Sequence, residues 1–361
     1  MSEIIYITAK NVLLGELQSG MMIDKDIYSD HGTILLPRGQ VLKETQRTVR
    51  LLQQHNITMV PVRLPEQIPE PIPLQEREAA AFMTAVDEKC DRLRDEFQHI
   101  LLSGELQEDV LEERIEETLS AFQADINVMQ LMQKVRDSDD ATYVHAHNVA
   151  LTSHLIGRWM KLSDKQVKEL TITALFIDIG KMKVPAQVLQ KEEKLTAEEM
   201  EEARRHAQYS YEVIKDFAFI NHEVIMGVLH HHERMDGSGY PMKLRGERIP
   251  LFARIVAVAD VYNALTSKRP YRPKRTPFEA IRIMETECNE QLDPQVLYLF
   301  LNKIGNLFTG QRILLNDGRT GEIIFVPKQN IHRPMIRLDG DDAVLDLNSQ
   351  EGNGITICEF V

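Results

Sequence analysis

Cysteine is scarce. The 361-residue chain has three, Cys90, Cys288 and Cys358, and their spacing fits neither a disulfide framework nor a thiolate metal site. The expectation is a reducing compartment with these thiols inert in the core. No apolar run is long enough to span a bilayer, and the opening MSEIIYITAKNVLLGEL lacks a basic leader with an apolar core and a cleavage site. A cytoplasmic protein with no membrane segment is expected. Positive charge is in deficit too: 42 Lys and Arg face 55 Asp and Glu, a formal charge of -13, which argues against a general nucleic-acid binder with a basic surface. Any anionic ligand must therefore meet a local positive site. Beyond one proline-rich spacer, no short tandem repeat or low-complexity segment is present.

What remains is an ordinary globular composition, 43% hydrophobic and 27% charged, long enough for several units with a real core. Residues 1–64 read as a small α+β module: a turn at Ser29-Asp30-His31-Gly32 precedes Thr33-Ile34-Leu35, a helix runs from about Leu42, and Ile57 to Val62 looks like a strand. LPEQIPEPIP follows, and its repeated proline forbids helix and favours an extended spacer, so residues 65–75 are read as a linker. Over 76–135 the apolar residues fall at helical steps: Phe82, Val86, Cys90, Leu93, Phe97 and Ile100, then, after a Ser103-Gly104 break, Leu111, Ile115, Leu119, Phe122, Ile126 and Met129. This is either a packed stripe under a solvated face or a helical pair that makes a homodimer. Residues 136–305 are helical throughout, with a capping box at Thr196 and Glu199. In 306–361 the period changes to that of strands, with a hairpin turn at Asn316-Asp317-Gly318 and further strands over 335–338, 344–347 and 355–358. The fold class is mainly α, with small sheets at both ends.

Eight of the twelve histidines lie between residues 145 and 232. His147, His154 and His222 have no evident carboxylate partner and read as ordinary core or surface residues. The run LHHHERMDGSGYP differs. Adjacent helical residues point about 100° apart, so His231 and His232 reach one ion together only where a helix end faces the site, and the charges, glycines and proline that follow are a helix stop. Asp178, read as lying within the apolar helical run ALFIDIGK, and Asp260, in ARIVAVADVYNAL, are carboxylates where an unmet charge is costly. Either lysine or arginine neutralises them, and Lys181 lies one turn from Asp178, or they join the imidazoles around a metal. A mixed nitrogen and oxygen set suits Fe, Mn, Zn or Ni.

These residues resemble the HD-GYP family, a bacterial branch of the HD metal-dependent phosphohydrolases that degrades cyclic di-GMP. The resemblance covers roughly 136–305 and is carried by HHERMDGSGYP, with TYVHAHNVAL, IDIGKMKVP, KLTAEEMEEARRH and RIVAVADVYNALTSKRPYR in order. It implies an all-helical domain and one or two divalent transition ions held by His145, Asp178, His206, His231, His232 and Asp260. It also implies catalytic roles for Asp178 and Lys181. Lys181 would touch a phosphate, while Tyr240, Arg269 and Arg272 would hold the rest of the dinucleotide. Partners in signalling would be cyclic di-GMP and other proteins, with neither nucleic acid nor membrane.

Three positions depart from the family. Ile177 stands where the family has the histidine of its His-Asp pair, Asn263 where it has a further aspartate, and Ala141 where an acidic residue is frequent. Isoleucine offers no lone pair, so the expectation is one well-held ion beside a weak or empty position. The chain is then a cyclic di-GMP binder with impaired or absent hydrolysis; an active phosphodiesterase giving pGpG or GMP, and a non-enzymatic scaffold, are the alternatives.

Overall fold

The computed structural model describes residues 6–14, 17–18, 21–29, 32–43, 45–65, 74–119, 141–191, 193–267, 275–340 and 343–361. Arg269 and Arg272, most of the proline-rich stretch, Asp30 and His31 of the Ser29 turn and the helical pattern over 120–135 lie outside them. The chain divides into two compact units, Met1–Arg77 and Glu78–Val361.

In the first unit, β1 (Tyr6–Leu13) and β2 (Met22–Ile23) both pair antiparallel with β5 (Met59–Pro65), while β3 (Ile27–Tyr28) pairs with β4 (Ile34–Leu36). Helix α1 (Thr45–Gln54) carries Leu52 into a small core with Val12, Ile23, Val60 and Val62. The alternation of Val60 and Val62 on β5 is the period-2 signal by which one face of a strand is buried.

The second unit is helical for most of its length. Helices α2 (Leu74–Ser103) and α3 (Glu108–Leu119) are followed by α4 (Ala141–Trp159) and α5 (Asp164–Phe176), the latter started by a capping box between Ser163 and Gln166. The second half of the α2 stripe, Cys90, Leu93, Phe97 and Ile100, packs into the chain's own core: Phe97 stacks on Phe176 at 5.5 Å between ring centroids and meets Tyr143 at 5.9 Å. After α5 come α6 (Ala186–Leu189), α7 (Ala197–Arg204), α8 (His206–Ile214) and α9 (His222–His230). Helix α7 begins at the capping box of Thr196 and Glu199. Helix α10 (Leu251–Thr266) is apolar on nearly every side, with Phe252 to Ala259 buried apart from Arg254, as befits a helix surrounded by others. Arg254 is tied at 2.6 Å to Asp293, whose other oxygen caps α12 (Pro294–Asn306); α11 (Pro277–Thr286) lies between them in sequence.

The chain ends in an antiparallel sheet ordered β10-β6-β7-β8-β9, from β6 (Arg312–Leu315), β7 (Thr320–Phe325), β8 (Met335–Leu338), β9 (Val344–Asp346) and β10 (Ile357–Phe360). Its buried face, with Ile313, Ile323, Ile336 and Leu345, belongs to the same hydrophobic core as the helices. Phe308 joins Phe278 of α11 to Phe360 of β10, each at 5.2 Å. Among the described residues no helix is long and apolar enough to cross a membrane.

Candidate metal centre

Helix ends supply most of this site. His145 comes from α4, Asp178 from the turn after α5, His206 from the first position of α8, His231 and His232 from the end of α9, and Asp260 from α10. Helix α9 stops at His230, with His231 as its C-cap, so the next two imidazoles leave the helix instead of diverging around it.

Three imidazoles meet. One ligand nitrogen each from His206, His231 and His232 can be chosen so that all lie within 4.8 Å of one another. The orientation of two is set by their own helices: His206 Nδ1–H donates to the Ala203 carbonyl at 2.7 Å and His231 Nδ1–H to that of Val228 at 2.6 Å. Because a carbonyl can only accept, each Nε2 is left with its lone pair. His231 Nε2 is buried with no hydrogen-bond partner, and His206 Nε2 faces His232 Nε2 at 3.0 Å. Burial pushes the His231 imidazole down to about 4, with repulsion from His206 adding to the effect. Burial likewise lowers His206 and takes His232 well below its ordinary value. Neutral, pre-oriented imidazoles with an orphaned nitrogen are the donor set a transition ion takes, and the residues fit such a group.

The carboxylates are met differently. Asp178 is 2% exposed, and Lys181 Nζ donates to its Oδ2 at 2.7 Å, the lysine pairing that the spacing allowed. Its Oδ1 lies 3.7 Å from His206 Nε2 and its Oδ2 3.8 Å from His145 Nε2. Burial pulls this carboxyl upward, yet Lys181 and then the surrounding imidazoles outweigh it and hold the pKa far below the usual range. Among the described residues Asp260 pairs with no lysine or arginine but with an imidazole: its Oδ1 is 2.9 Å from His145 Nε2, which opposes the upward pull of burial and lowers its pKa.

The run ALFIDIGK is not one helix. Helix α5 ends at Phe176, and Asp178, with φ -108° and ψ 0°, opens a 3-10 turn over Ile179–Lys183. Gly180 explains the break. A Cβ there would lie 2.2 Å from the His206 carbonyl oxygen and 2.3 Å from Ser210 N, so only glycine lets the turn seat on the start of α8. Gly180 N–H donates to Ser210 Oγ at 2.9 Å, and that hydroxyl donates to the Ile177 carbonyl at 2.8 Å. One seam therefore sets Asp178 against His206.

Two of the departing positions, Ile177 and Asn263, are absorbed by the core. Ile177 is fully buried. The Asn263 amide, also fully buried, donates to Ala259 O at 2.8 Å and Thr152 Oγ1 at 3.2 Å, across the seam between α10 and α4. Ala141 opens α4, one turn before His145. Neither spare histidine joins the three imidazoles: His147 is buried on α4, and His230 Nδ1 is 3.6 Å from Glu233 Oε1.

Glu233 is a residue that sequence reasoning passed over. Its carboxylate accepts from Met242 N at 2.7 Å and Leu244 N at 3.0 Å, pinning the far side of the loop that follows the histidine pair. A buried acid within HHERMDGSGYP was the available signal. Gly239 closes the same loop, since a Cβ there would lie 2.5 Å from Arg234 N and from the His232 carbonyl. Tyr240 is delivered to the imidazole cluster, its ring 4.7 Å from that of His232 and 6.4 Å from that of His206. The Arg204 guanidinium stands 5.4 Å from the Tyr240 ring centroid. Burial and then the negative charge of Asp260 raise the Tyr240 phenol well above its ordinary pKa, so it remains a protonated donor.

The chain is similar in sequence to known proteins. The family described as HD domain matches residues 129–296. The cyclic di-GMP phosphodiesterase PA4108 of Pseudomonas aeruginosa is 37% identical over 212 residues, covering 59% of this chain and 51% of its own length. The cyclic di-GMP phosphodiesterase response regulator RpfG of Xanthomonas campestris is 37% identical over 188 residues, 51% of this chain and 47% of that protein. The 3'3'-cGAMP-specific phosphodiesterase 1 of Vibrio cholerae is 37% identical over 174 residues, 47% of this chain and 40% of that protein. The chain spans about half the length of the curated relatives it matches. Residues 129–296 therefore match the HD domain family, and the HHERMDGSGYP loop within that stretch lays Tyr240 against its imidazoles.

Proposed function

We propose that this site binds cyclic di-GMP with the help of a divalent transition ion and hydrolyses it slowly or not at all. The observation that carries the reading is a contrast at one centre. His206, His231 and His232 gather their nitrogens within 4.8 Å, whereas Ile177, at the position of the family's imidazole, is wholly buried hydrocarbon. In this reading His206, His231, His232 and Asp178 form a complete four-ligand set, and His145, Asp178 and Asp260 an incomplete one.

A bound ion of this class supplies Lewis acidity toward a phosphoryl oxygen and makes nearby water more acidic. The chain's own groups do the rest. Lys181, 2.7 Å from Asp178, is placed to exchange part of that pairing for a phosphate oxygen. The Tyr240 phenol, kept protonated by burial, donates a hydrogen bond without adding negative charge beside an anion. By the family resemblance, Arg269 and Arg272 would add the positive charge that a chain of charge -13 needs for an anionic ligand.

The test is incubation of pure, metal-loaded protein with cyclic di-GMP, following bound ligand together with linear and monomeric product. Saturable binding with product no faster than in a metal-free control is the expected result. Steady turnover well above that control would replace this reading by the second one, an active phosphodiesterase, which has its own support: His145 and Asp260 remain together at 2.9 Å, so two ligands of the weaker set persist beside Asp178. Neither binding nor turnover would leave a scaffold.

A further inference from the structure

Tyr240 is not a bare platform. Besides lying against His232, its ring carries the Arg204 guanidinium 5.4 Å from its centroid. Arg204 closes α7 two residues before His206, so the backbone that sets this imidazole also sets the guanidinium. Its neighbour Arg205 is tied to Glu202 at 3.2 Å, whereas among the described residues Arg204 pairs with no carboxylate and its side chain is exposed. A guanidinium over an aromatic face keeps its in-plane N–H groups for an anion, and the ring restricts where they point. Lys181, beside Asp178, is the cation for the phosphodiester at the imidazoles in the reading above. A cyclic dinucleotide brings two phosphodiesters, and the one away from the imidazoles needs a cation of its own.

We propose that Arg204 is a substrate-binding residue, standing on Tyr240 and directing its N–H edge at the phosphodiester that is not presented to the imidazole cluster. The assignment rests on the cyclic dinucleotide reading above. It makes Arg204 a determinant of affinity and leaves the ion's ligands untouched.

The test uses the full chain, metal-loaded, as wild type, Arg204→Gln and Arg204→Lys, titrated with cyclic di-GMP by calorimetry at low and high salt, with metal content measured on each sample. Arg204→Gln should weaken binding about 10-fold at low salt with unchanged metal content, the loss expected for one charge-assisted contact. Arg204→Lys should recover part of it, keeping the charge and losing the planar fork. The wild type should also lose more affinity with added salt than Arg204→Gln does. Where turnover is measurable, KM should rise and kcat stay within about twofold. Unchanged affinity in Arg204→Gln, a fall in kcat alone, or loss of metal would overturn the assignment, the last two because they mark a supporting role. A wild type that does not bind cyclic di-GMP overturns the functional reading itself; a wild type that binds beside an indifferent Arg204→Gln overturns only the role of Arg204.

Discussion

The two sides of the candidate metal centre are built by different means. On the histidine side, His206 and His231 use the same local device: each Nδ1–H is spent on a carbonyl three residues earlier, and each Nε2 is aimed by its own helix end. On the other side, His145 and Asp260 are 115 positions apart and hold each other at 2.9 Å, and the third element, Ile177, is packed into the core. A donor oriented by its own backbone keeps its aim whether or not an ion is present, and His231 Nε2 has no hydrogen-bond partner to give up. Donors that satisfy one another must first give up that bond. The expectation is a site with one strong and one weak half, and every substitution below is a way to break or sharpen that contrast.

Gly180→Ala should have the largest effect, because it strikes the seam common to both halves. The added Cβ would meet backbone atoms at 2.2 and 2.3 Å, which cannot swing aside as a side chain would, so the turn bearing Asp178 must lift from α8. A loss of about 3 kcal/mol in unfolding free energy, with loss of bound metal, is expected from chemical denaturation and elemental analysis. Native stability in this variant would show that the seam yields more readily than its contacts imply.

His231→Ala removes one donor of the strong half and leaves the seam intact. Its Nε2 has no partner to lose, so folding should lose only the packing of one ring and the Nδ1–H bond to the Val228 carbonyl, while metal affinity falls by about 100-fold or more, at least the upper end of what losing a supporting partner costs. Competition against a chelator reads this directly. A variant that keeps its metal would move the strong half elsewhere.

Ile177→His sharpens the contrast from the opposite direction. An imidazole at this buried position should cost about 2 kcal/mol in the metal-free protein, because a polar ring enters the core without a partner. With metal present it should raise the ion content from about one toward two per chain and increase hydrolysis about 10-fold. Thermal unfolding with and without added metal separates these outcomes. A variant destabilised equally in both conditions would mean that position 177 does not look into the site.

Much of this was legible from residue order alone. The helical period of α2, the capping box at Thr196 and the hairpin around Asn316 depend on local chemistry, and each is found where its signal lies. HHERMDGSGYP announced a helix end facing a polar loop for the same reason. What escaped was decided at a distance. Asp178 was read as interrupting a helix, but it stands just beyond one, because Gly180 must seat on α8 some 30 positions later. Glu233 looked like one more charge in a helix stop, and only the folded loop shows its carboxylate taking the Met242 and Leu244 amides. Arg204 had no signature, since its contact with Tyr240 exists only once two separate elements converge.

The smallest effect should come from Asp260→Asn, and its smallness would be the informative result. The substitution keeps the shape of the side chain and a hydrogen-bond partner for His145, so the 2.9 Å contact can persist while one negative charge is removed. If an ion sits mainly among His206, His231 and His232, metal content should change by less than about twofold, well under the 10 to 100-fold that even supporting partners of an occupied metal contribute. Asp260 also lies 3.9 Å from His232 Nδ1, so a small effect through that imidazole is expected, and it should appear as a faster metal off-rate at constant stoichiometry. Halved stoichiometry would mean instead that His145, Asp178 and Asp260 hold an ion without the imidazole that Ile177 replaces. The two halves would then be equal, and slow hydrolysis would have to be sought in the geometry of the bound dinucleotide.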